Sequence, residues 1–355
     1  MKDKIQLTDT QLARYEDLND GYRCMYTNPE QARPKIIIHA PEEKTHSWET
    51  CYANPHLMLE RELAVLKQHI DLEDDRVLSV RVQFGTAQIA AAFGCELAFP
   101  TDSLPAAKTH VLKNAKDVDT LAIPALEAGL YAKLVEYTEV FKQHLPEGVH
   151  IQHPDIQGPF NSAHLIRGND ILLDFYDDPE SVGKLLDKVT DYMIKLVPWL
   201  KTMISDDPDW FFDWGSLWRG MARMCNCSVH MISPAFYREY VMPSDIRLMK
   251  AIGGGRMHYC GTYGEVINDY FQVPSINGLD YDAKHHDLWE LCDKAPSHLV
   301  LFHWIMDREN DTSLERLLRG DWPGKQNIVV KVSVDSMKEG RVILAGLRKA
   351  GKATV

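Results

Sequence analysis

The stretch RMHYCGTYGEVINDYFQVPSINGLDY (256–281) contains two short apolar segments with a longer, helix-like segment between them. RMHYC (256–260) and INGLDY (276–281) have the length and the side-chain types of buried β-strands. Two successive strands separated by a helix pair in parallel, because the helix carries the chain back to the starting edge of the sheet. The stretch therefore predicts a βαβ unit in a protein of the α/β class.

The same alternation of strand-like and helical segments continues along the rest of the chain. In one helical segment Asp178 can cap the helix and Pro179 suits its first position, and Ser233 begins a second helix in the same way. Eight strands alternating with helices predict a (β/α)8 TIM barrel with an N-terminal helical extension. We expect residues 1–75 to form the extension and residues 76–355 the barrel, within a single structural domain. The other six predicted strands are 36–40, 77–84, 150–157, 210–215, 299–305 and 328–334.

Composition excludes several classes of partner. The 355 residues are 45% hydrophobic and carry a formal net charge of −12, whereas nucleic acid and anionic membranes require a basic surface. The polar N-terminal segment is unlike a secretory signal, and no apolar run reaches the roughly 20 residues that a membrane span requires. The seven cysteines are an odd set without the spacing of a disulfide framework. We therefore expect a cytoplasmic protein with reduced thiols that binds neither nucleic acid nor membrane.

Polar side chains end every predicted strand. In a (β/α)8 barrel the carboxyl ends of the strands surround the active site, so such residues predict a polar pocket at the barrel mouth. Each of them could alternatively serve only to cap a strand end through hydrogen bonds to backbone amides. The residues are His39, Gln83, Asp155, Gln157, Asp213, His258, Cys260, Asp280, His303, Ser333 and Asp335.

His258 and Cys260 are the strongest candidates for a metal site. Side chains at positions i and i+2 of a strand point to the same face, so both can point into the barrel. An imidazole and a thiolate form part of a typical zinc site, which needs further ligands from neighbouring strands. We expect Asp280 to be the third ligand, with His303 and Asp335 as further candidates.

The segment MCNCSVH (224–230) has ligand-like spacing as well. Cys225, Cys227 and His230 could bind a metal, but the segment lies in the connection that follows the predicted strand 210–215. We expect a cysteine pair packed against the barrel rim in preference to a second metal site.

Three segments resemble the uroporphyrinogen decarboxylase superfamily. They are RVQFGTAQIAAAFGCE (81–96), the segment from PDIQGPF to VTDYM (154–193), and the segment from SPAFYREYV to GEVINDYF (233–271). The resemblance covers roughly residues 75–340 and implies a (β/α)8 barrel, in agreement with the strand count. Decarboxylases of this superfamily carry an arginine-rich N-terminal signature that binds substrate carboxylates, and here no arginine lies between Arg33 and Arg61.

The chain is more similar to the corrinoid-dependent methyltransferase branch of the superfamily. That branch binds zinc through a His-x-Cys pair, which His258 and Cys260 match, and through a distant second cysteine on the last strand. The second cysteine is missing, because residues 333–336 read SVDS and no cysteine follows Cys292. The resemblance therefore implies a zinc site completed by an aspartate, either Asp280 or Asp335.

Together these features lead to the hypothesis of a zinc-dependent methyltransferase. It would move a methyl group between a small substrate and a separate corrinoid protein, which supplies the corrinoid cofactor. A methyl ether is one candidate for the small substrate. Homodimers are common in this superfamily, so the resemblance also implies a possible homodimer. Two alternatives are a decarboxylase acting on a porphyrinogen or a smaller acid, and a non-catalytic relative that binds a tetrapyrrole or corrinoid partner. The expected roles are metal binding for His258, Cys260 and Asp280, catalysis for Asp213, His303 and Asp335, and cofactor binding for Gln83, Gln157 and Trp218.

Overall fold

A computed structural model describes residues 5–42 and 45–352. Eight strand passages alternate with helices along the chain: β1 (Lys35–His39), β2 (Ser79–Val80), β3 (two short segments, His150–Ile151 and Ile156–Gln157), β4 (Ala222–Cys225), β5 (Gly255–Tyr259), β6 (Ile276–Tyr281), β7 (Val300–Ile305) and β8 (Ile328–Ser333).

Fourteen α-helices of the described residues surround these strands. They are α1 (Asp9–Thr27), α2 (Trp48–Ala53), α3 (Pro55–Leu72), α4 (Gln88–Ala92), α5 (Tyr131–His144), α6 (Pro159–Arg167), α7 (Ile171–Asp177), α8 (Pro179–Ile204), α9 (Pro234–Phe236), α10 (Met242–Ala251), α11 (Gly264–Tyr270), α12 (Leu288–Lys294), α13 (Ser313–Leu318) and α14 (Met337–Lys352).

The strands pair in parallel in the order of a barrel. The principal sheet runs β1-β8-β7-β6-β5-β4-β3, and the first segment of β3 pairs with β2. Side chains connect β1 to the segment before β2, because the amides of Ile36 and Ile38 donate to the carboxylates of Asp75 and Asp74 at 2.7 and 2.9 Å. The predicted (β/α)8 barrel is confirmed.

The fourth barrel strand is not the one that the sequence predicted. Residues Trp210–Asp213 and Ser216–Arg219 form an antiparallel hairpin, and the barrel strand is the later Ala222–Cys225. The turn of the hairpin contains Trp214 and Gly215, both with positive φ, of 50° and 78°. Two such residues are typical of the tight turn that reverses a strand upon itself. The apolar segment 210–215 is therefore a strand, but it pairs locally instead of with the barrel.

Two predicted helix starts are confirmed. The side chain of Asp178 accepts a hydrogen bond from the amide of Ser181 at the start of α8, and Ser233 accepts one from Phe236 at the start of α9. Each cap satisfies an amide that has no partner within the first turn of its helix. None of the helices in residues 5–42 and 45–352 is both long enough and apolar enough to cross a membrane.

The barrel interior is closed at its amino-terminal end by an apolar cluster. Tyr22, Met25 and Tyr26 of α1 pack there against inward-facing strand residues that include Ile37 and Val329. The strand β1 lies within the first 75 residues and pairs with β8, while the boundary at residue 75 stays a prediction. Because the lower interior is filled, polar groups are left for the upper half, next to the carboxyl ends of the strands.

Candidate metal centre

The register of β4 and β5 determines which side chains meet in the barrel. Cys225 lies directly opposite His258, and Arg223 lies opposite Arg256. The residues between them, such as Met224, belong to the core outside the sheet. Because side chains alternate across a strand, Cys225 and His258 point into the barrel near its mouth.

Three side chains of the types that bind metal ions converge at this point in a candidate metal cluster. One ligand atom from each of Cys225, Cys227 and His258 lies within 4.8 Å of the others, and the two sulfur atoms are 3.2 Å apart. The thiol of Cys260 is hydrogen-bonded to both Cys227 and His258. The two candidate sites that the sequence presented as rivals are therefore one cluster. Pairing of β4 with β5 brings them together, and this pairing is not visible in either segment alone.

Asp280 contacts the cluster through a hydrogen bond to the imidazole of His258. Its Oδ2 accepts a hydrogen bond from Nδ1 of His258 at 2.6 Å, and its two oxygens accept from Nε and Nη2 of Arg223 at 3.2 and 3.0 Å. The other imidazole nitrogen, Nε2, remains for a ligand. Asp280 is thus outside the group of clustered donors, in contrast to its expected role as third ligand. A carboxylate in this position orients a metal-binding histidine and increases its basicity.

Hydrogen bonds within the cluster favour thiolates. The hydrogen bond with Cys227 lowers the pKa of Cys225 to about 7 and that of Cys260 to about 5. The same two contacts raise the pKa of Cys227. Burial opposes the charge on His258, but attraction to Asp280 outweighs it and raises the pKa of the imidazole to about 10. The cluster therefore combines two thiols that lose their protons easily with a thiol and an imidazole that keep theirs, and a bound metal ion would displace those remaining protons.

Below the cluster a closed ring of alternating charges lies inside the barrel. Each member contacts two groups of opposite sign, so that every buried charge is paired on both sides. The measured nitrogen-to-oxygen distances are 3.7 Å for Arg81–Asp155, 2.8 Å for Arg223–Asp155, 3.0 Å for Arg223–Asp280 and 3.1 Å for Arg256–Asp280. Asp213 closes the ring through direct contacts with Arg81 and Arg256. The ring holds Asp280, and through it His258, in a single orientation.

Asp213 and Trp218 are buried in the lower part of this ring. The backbone carbonyl of Asp213 accepts a hydrogen bond from Nε1 of Trp218 at 3.2 Å. The indole of Trp218 stacks on the guanidinium of Arg256, which lies 4.3 Å from the ring centroid. These two residues are connected to the metal cluster through other side chains: they contact Arg256, which pairs with Asp280, and Asp280 contacts His258.

Gln157 lies at the carboxyl end of β3 and is linked to the cysteine segment. It donates to Oγ1 of Thr86 at 2.9 Å and accepts from the amide of Asn161, whose own oxygen accepts from the backbone N–H of Ser228 at 2.6 Å. Gln83 follows β2, where its backbone N–H contacts the sulfur of Met58 at 3.3 Å.

His303 and Asp335 lie away from the cluster. Strand alternation places Phe302 and Trp304 inside the barrel, so His303 points outward, where it contacts the hydroxyl of Tyr281 at 3.0 Å and Asp311 at 3.3 Å. The side chain of Asp335 is 90% exposed and pairs with Arg308 at 3.0 Å. The sequence identified both as strand ends but could not determine which face of the sheet each occupies.

The sequence contained one signal for the joined site. The segments RMCNC (223–227) and RMHYC (256–260) each place an Arg-Met pair before a possible ligand, and the structure aligns them residue for residue. In both segments an inward-facing arginine is followed by possible metal ligands at the end of the strand. This shared pattern indicates that the two strands face the same part of the barrel interior. The donor types fit zinc, since two thiols and one imidazole with a carboxylate behind it are typical of zinc sites.

Comparisons with known proteins agree with this architecture. The family model described as "Uroporphyrinogen decarboxylase (URO-D)" matches residues 36–296. Among solved structures, a methyltransferase from Methanosarcina mazei is similar over 95% of this chain and 98% of that chain, with a TM-score of 0.71 and 14% sequence identity. At that identity the likeness establishes the fold. No curated protein matches the chain. On the extent of the family match, the chain belongs to the uroporphyrinogen decarboxylase (URO-D) family.

Proposed function

We propose that the protein is a zinc-dependent methyltransferase that moves a methyl group between a small substrate and a corrinoid protein. The observation that carries the proposal is the convergence of Cys225, Cys227 and His258 at the mouth of a URO-D barrel. Further support comes from Asp280, which holds Nδ1 of His258, and from the fold shared with a methyltransferase. The proposal joins the His-x-Cys pair predicted from the sequence to the Cys-x-Cys segment of the adjacent strand.

The residues of the chain have distinct parts in this proposal. Cys225, Cys227 and His258 would hold the metal, with Cys260 beside them, while Asp280 orients the imidazole. Bound zinc would act as a Lewis acid at the barrel mouth. Thiolates donate more charge to the metal than a carboxylate does, so this zinc would be a weaker Lewis acid than one with the aspartate ligand expected from the sequence. This thiol-rich set suits a thiol as the small substrate as well as a methyl ether.

The corrinoid protein would approach the carboxyl ends of the strands. Met231, Tyr263 and Met306 lie on the segments that follow β4, β5 and β7, and 42%, 41% and 51% of their respective surfaces are exposed. We infer that these three side chains form part of the surface that the partner contacts, since each follows the carboxyl end of a barrel strand. This position would bring the partner's corrinoid towards the metal cluster.

Metal analysis of purified variants tests the proposal. We expect about one zinc per natural chain, and loss of most of it in Cys225→Ser, Cys227→Ser and His258→Ala, because each change removes one ligand. Methyl transfer to a Co(I) corrinoid protein should fall in parallel. Cys24→Ser is the matched control, since Cys24 lies on α1 and should not affect zinc content. A natural chain that binds no zinc when zinc is supplied would contradict the proposal.

A decarboxylase remains the second candidate, because the family model is named for that activity. Three arginines of the barrel interior, Arg81, Arg223 and Arg256, each pair with two aspartates. Arginines paired in this way have little capacity left to neutralise substrate carboxylates. Decarboxylation of a porphyrinogen or a smaller acid that survives a zinc chelator would favour this candidate over the methyltransferase.

A further inference from the structure

Lys331 is a buried lysine inside the barrel that pairs with no carboxylate of the described residues. It lies on β8, where Val330 and Val332 face the outer core and Val329 faces the barrel interior. Only 5% of the residue is exposed, and its Nζ atom lies over the ring faces of Trp304, at 3.6 Å, and of Trp214, at 4.9 Å. A buried cation normally has a hydrogen-bonded partner of opposite charge, so this site differs from the paired ring beside it.

Trp214 provides a second group without a partner. Its indole N–H is buried and has no hydrogen-bond acceptor among the described residues. The residue is held on a backbone with φ of 50°, and its ring lies between the guanidinium of Arg223, at 5.0 Å, and the ammonium group of Lys331. A buried indole N–H without an acceptor therefore lies beside a lysine that forms no ion pair with a carboxylate of the described residues.

The position of Lys331 relates it to the metal cluster. In the eight-strand order β8 is four strands from β4, so Lys331 and Cys225 belong to opposite sides of the barrel. A small molecule that spans the interior could contact Lys331 at one end and the metal cluster at the other. In such barrels, residues from the carboxyl ends of several different strands contribute to one active site.

We propose that the small substrate carries a carboxylate, and that this carboxylate binds to Lys331 between Trp214 and Trp304. The inference rests on the proposed function, because the acid would be the small methyl substrate. It assigns Lys331 as a residue that determines specificity. The carboxylate would supply the acceptor that the lysine and the indole N–H lack, and the low-polarity surroundings would strengthen the ion pair.

Binding of the acid should take up a proton. Burial, followed by repulsion from Arg76, holds the pKa of Lys331 well below its usual value, so the charged form of the amine is disfavoured before the acid binds. An adjacent carboxylate favours the charged form and raises that pKa. The titratable and charged groups that face Lys331 are His39 and Glu42 at and after β1, His69 on α3, Arg76 and Arg81 on either side of β2, and Arg256 on β5.

Calorimetry with an acid and its neutral counterpart tests the inference. Methoxyacetate and 2-methoxyacetamide have similar shapes, and titrations at pH 7 in two buffers with different ionisation enthalpies measure the protons exchanged. We expect the acid to bind about tenfold or more tightly than the amide. We also expect net proton uptake with the acid and none with the amide, because only the acid raises the pKa of Lys331.

Two variants and a control separate Lys331 from general effects on folding. Lys331→Met should abolish the preference for the acid. Lys331→Arg should keep the preference without proton uptake, because an arginine is always charged. Lys325→Met is the control and should change neither the preference for the acid nor the proton uptake. Lys325 donates to the carbonyls of Pro296 and Ser297, which precede the amino-terminal end of β7. Equal affinity for acid and amide, proton uptake that persists in Lys331→Met, or no binding of methoxyacetate in the millimolar range would overturn the inference.

The experiments distinguish failure of the carboxylate site from failure of the proposed function. Acid binding with proton uptake in a chain that never transfers methyl groups would overturn the methyltransferase and leave the carboxylate site. Methyl transfer from neutral substrates at a rate unaffected by Lys331→Met would overturn the carboxylate site and leave the methyltransferase.

Discussion

At the scale of single residues, Asp280 connects the charged interior of the barrel to the metal cluster. It accepts hydrogen bonds from Arg223 and His258 and forms an ion pair with Arg256. Burial alone would raise the pKa of this carboxyl, but the two arginines and His258 hold it well below its usual value. Asp280 is therefore ionised, and removing its charge would leave three cationic partners with less compensation.

Asp280→Asn tests this role while keeping the volume of the side chain. We expect zinc affinity to fall by about 10–100-fold, because the imidazole loses the carboxylate that orients it. We also expect the free energy of unfolding to fall by about 3–5 kcal/mol, because buried arginines lose a counter-charge. Zinc competition titration and urea unfolding measure the two effects.

Asp293→Asn is the matched control for that substitution. Asp293 is exposed near the end of α12, and its change should affect neither quantity. Zinc affinity in Asp280→Asn equal to that of the control would mean that His258 does not need the carboxylate as a partner.

At the scale of secondary-structure elements, the hairpin at residues 210–219 shows how a local turn decides which strand enters the barrel. Its second turn residue, Gly215, has φ of 78°, and a Cβ atom there would lie 2.7 Å from Cγ of Arg76. Both the backbone conformation and the available space therefore require glycine. The hairpin places Asp213 and Trp214 inside the barrel, so its geometry also affects the charged ring and the surroundings of Lys331.

Gly215→Ala should destabilise the protein by about 1–3 kcal/mol, the usual cost of a side chain in a left-handed conformation. Gly183→Ala is the control, because Gly183 lies within α8 and a Cβ atom there would meet no atom within 4 Å. Alanine favours the helical conformation, so this change should stabilise the protein by about 0.5–1 kcal/mol. Chemical denaturation of both variants checks the opposite signs, and equal effects would contradict the role given to the turn.

At the scale of the whole molecule, the proposed function requires the barrel mouth to be a docking surface. We expect Tyr263→Asp and Met306→Asp each to raise the KM for the corrinoid protein by roughly fivefold or more, because a charge in an apolar contact typically costs more than 1 kcal/mol of binding energy. Zinc content should not change. Steady-state methyl transfer at varied concentrations of the corrinoid protein measures the effect.

Val342→Asp provides the comparison on another surface. Val342 is 68% exposed on α14, which covers the outside of the barrel. Its change should leave the KM unaffected. If the mouth variants behave like Val342→Asp, the partner does not dock at the mouth.

The sequence by itself determined the class of fold and one strand of the site. Strand length, helix caps and apolar periodicity are local properties, so Asp178, Ser233 and most barrel strands could be predicted from neighbouring residues. The pairing of His258 with Cys260 on one face follows from the two-residue period of a strand, which is also local. Membership of the URO-D family could be recognised for the same reason, because its motifs are continuous segments.

Only the tertiary structure decided which side chains meet. Cys225 and Cys227 join His258 because β4 and β5 pair in one particular register, and a shift of one residue would turn Cys225 out of the barrel. The outward position of His303 and the ring that surrounds Asp280 likewise depend on contacts between strands far apart in sequence. Such contacts are determined by the packing of the whole barrel, in which each strand buries one face and the inward arginines pair with aspartates of other segments, and no single segment contains that information.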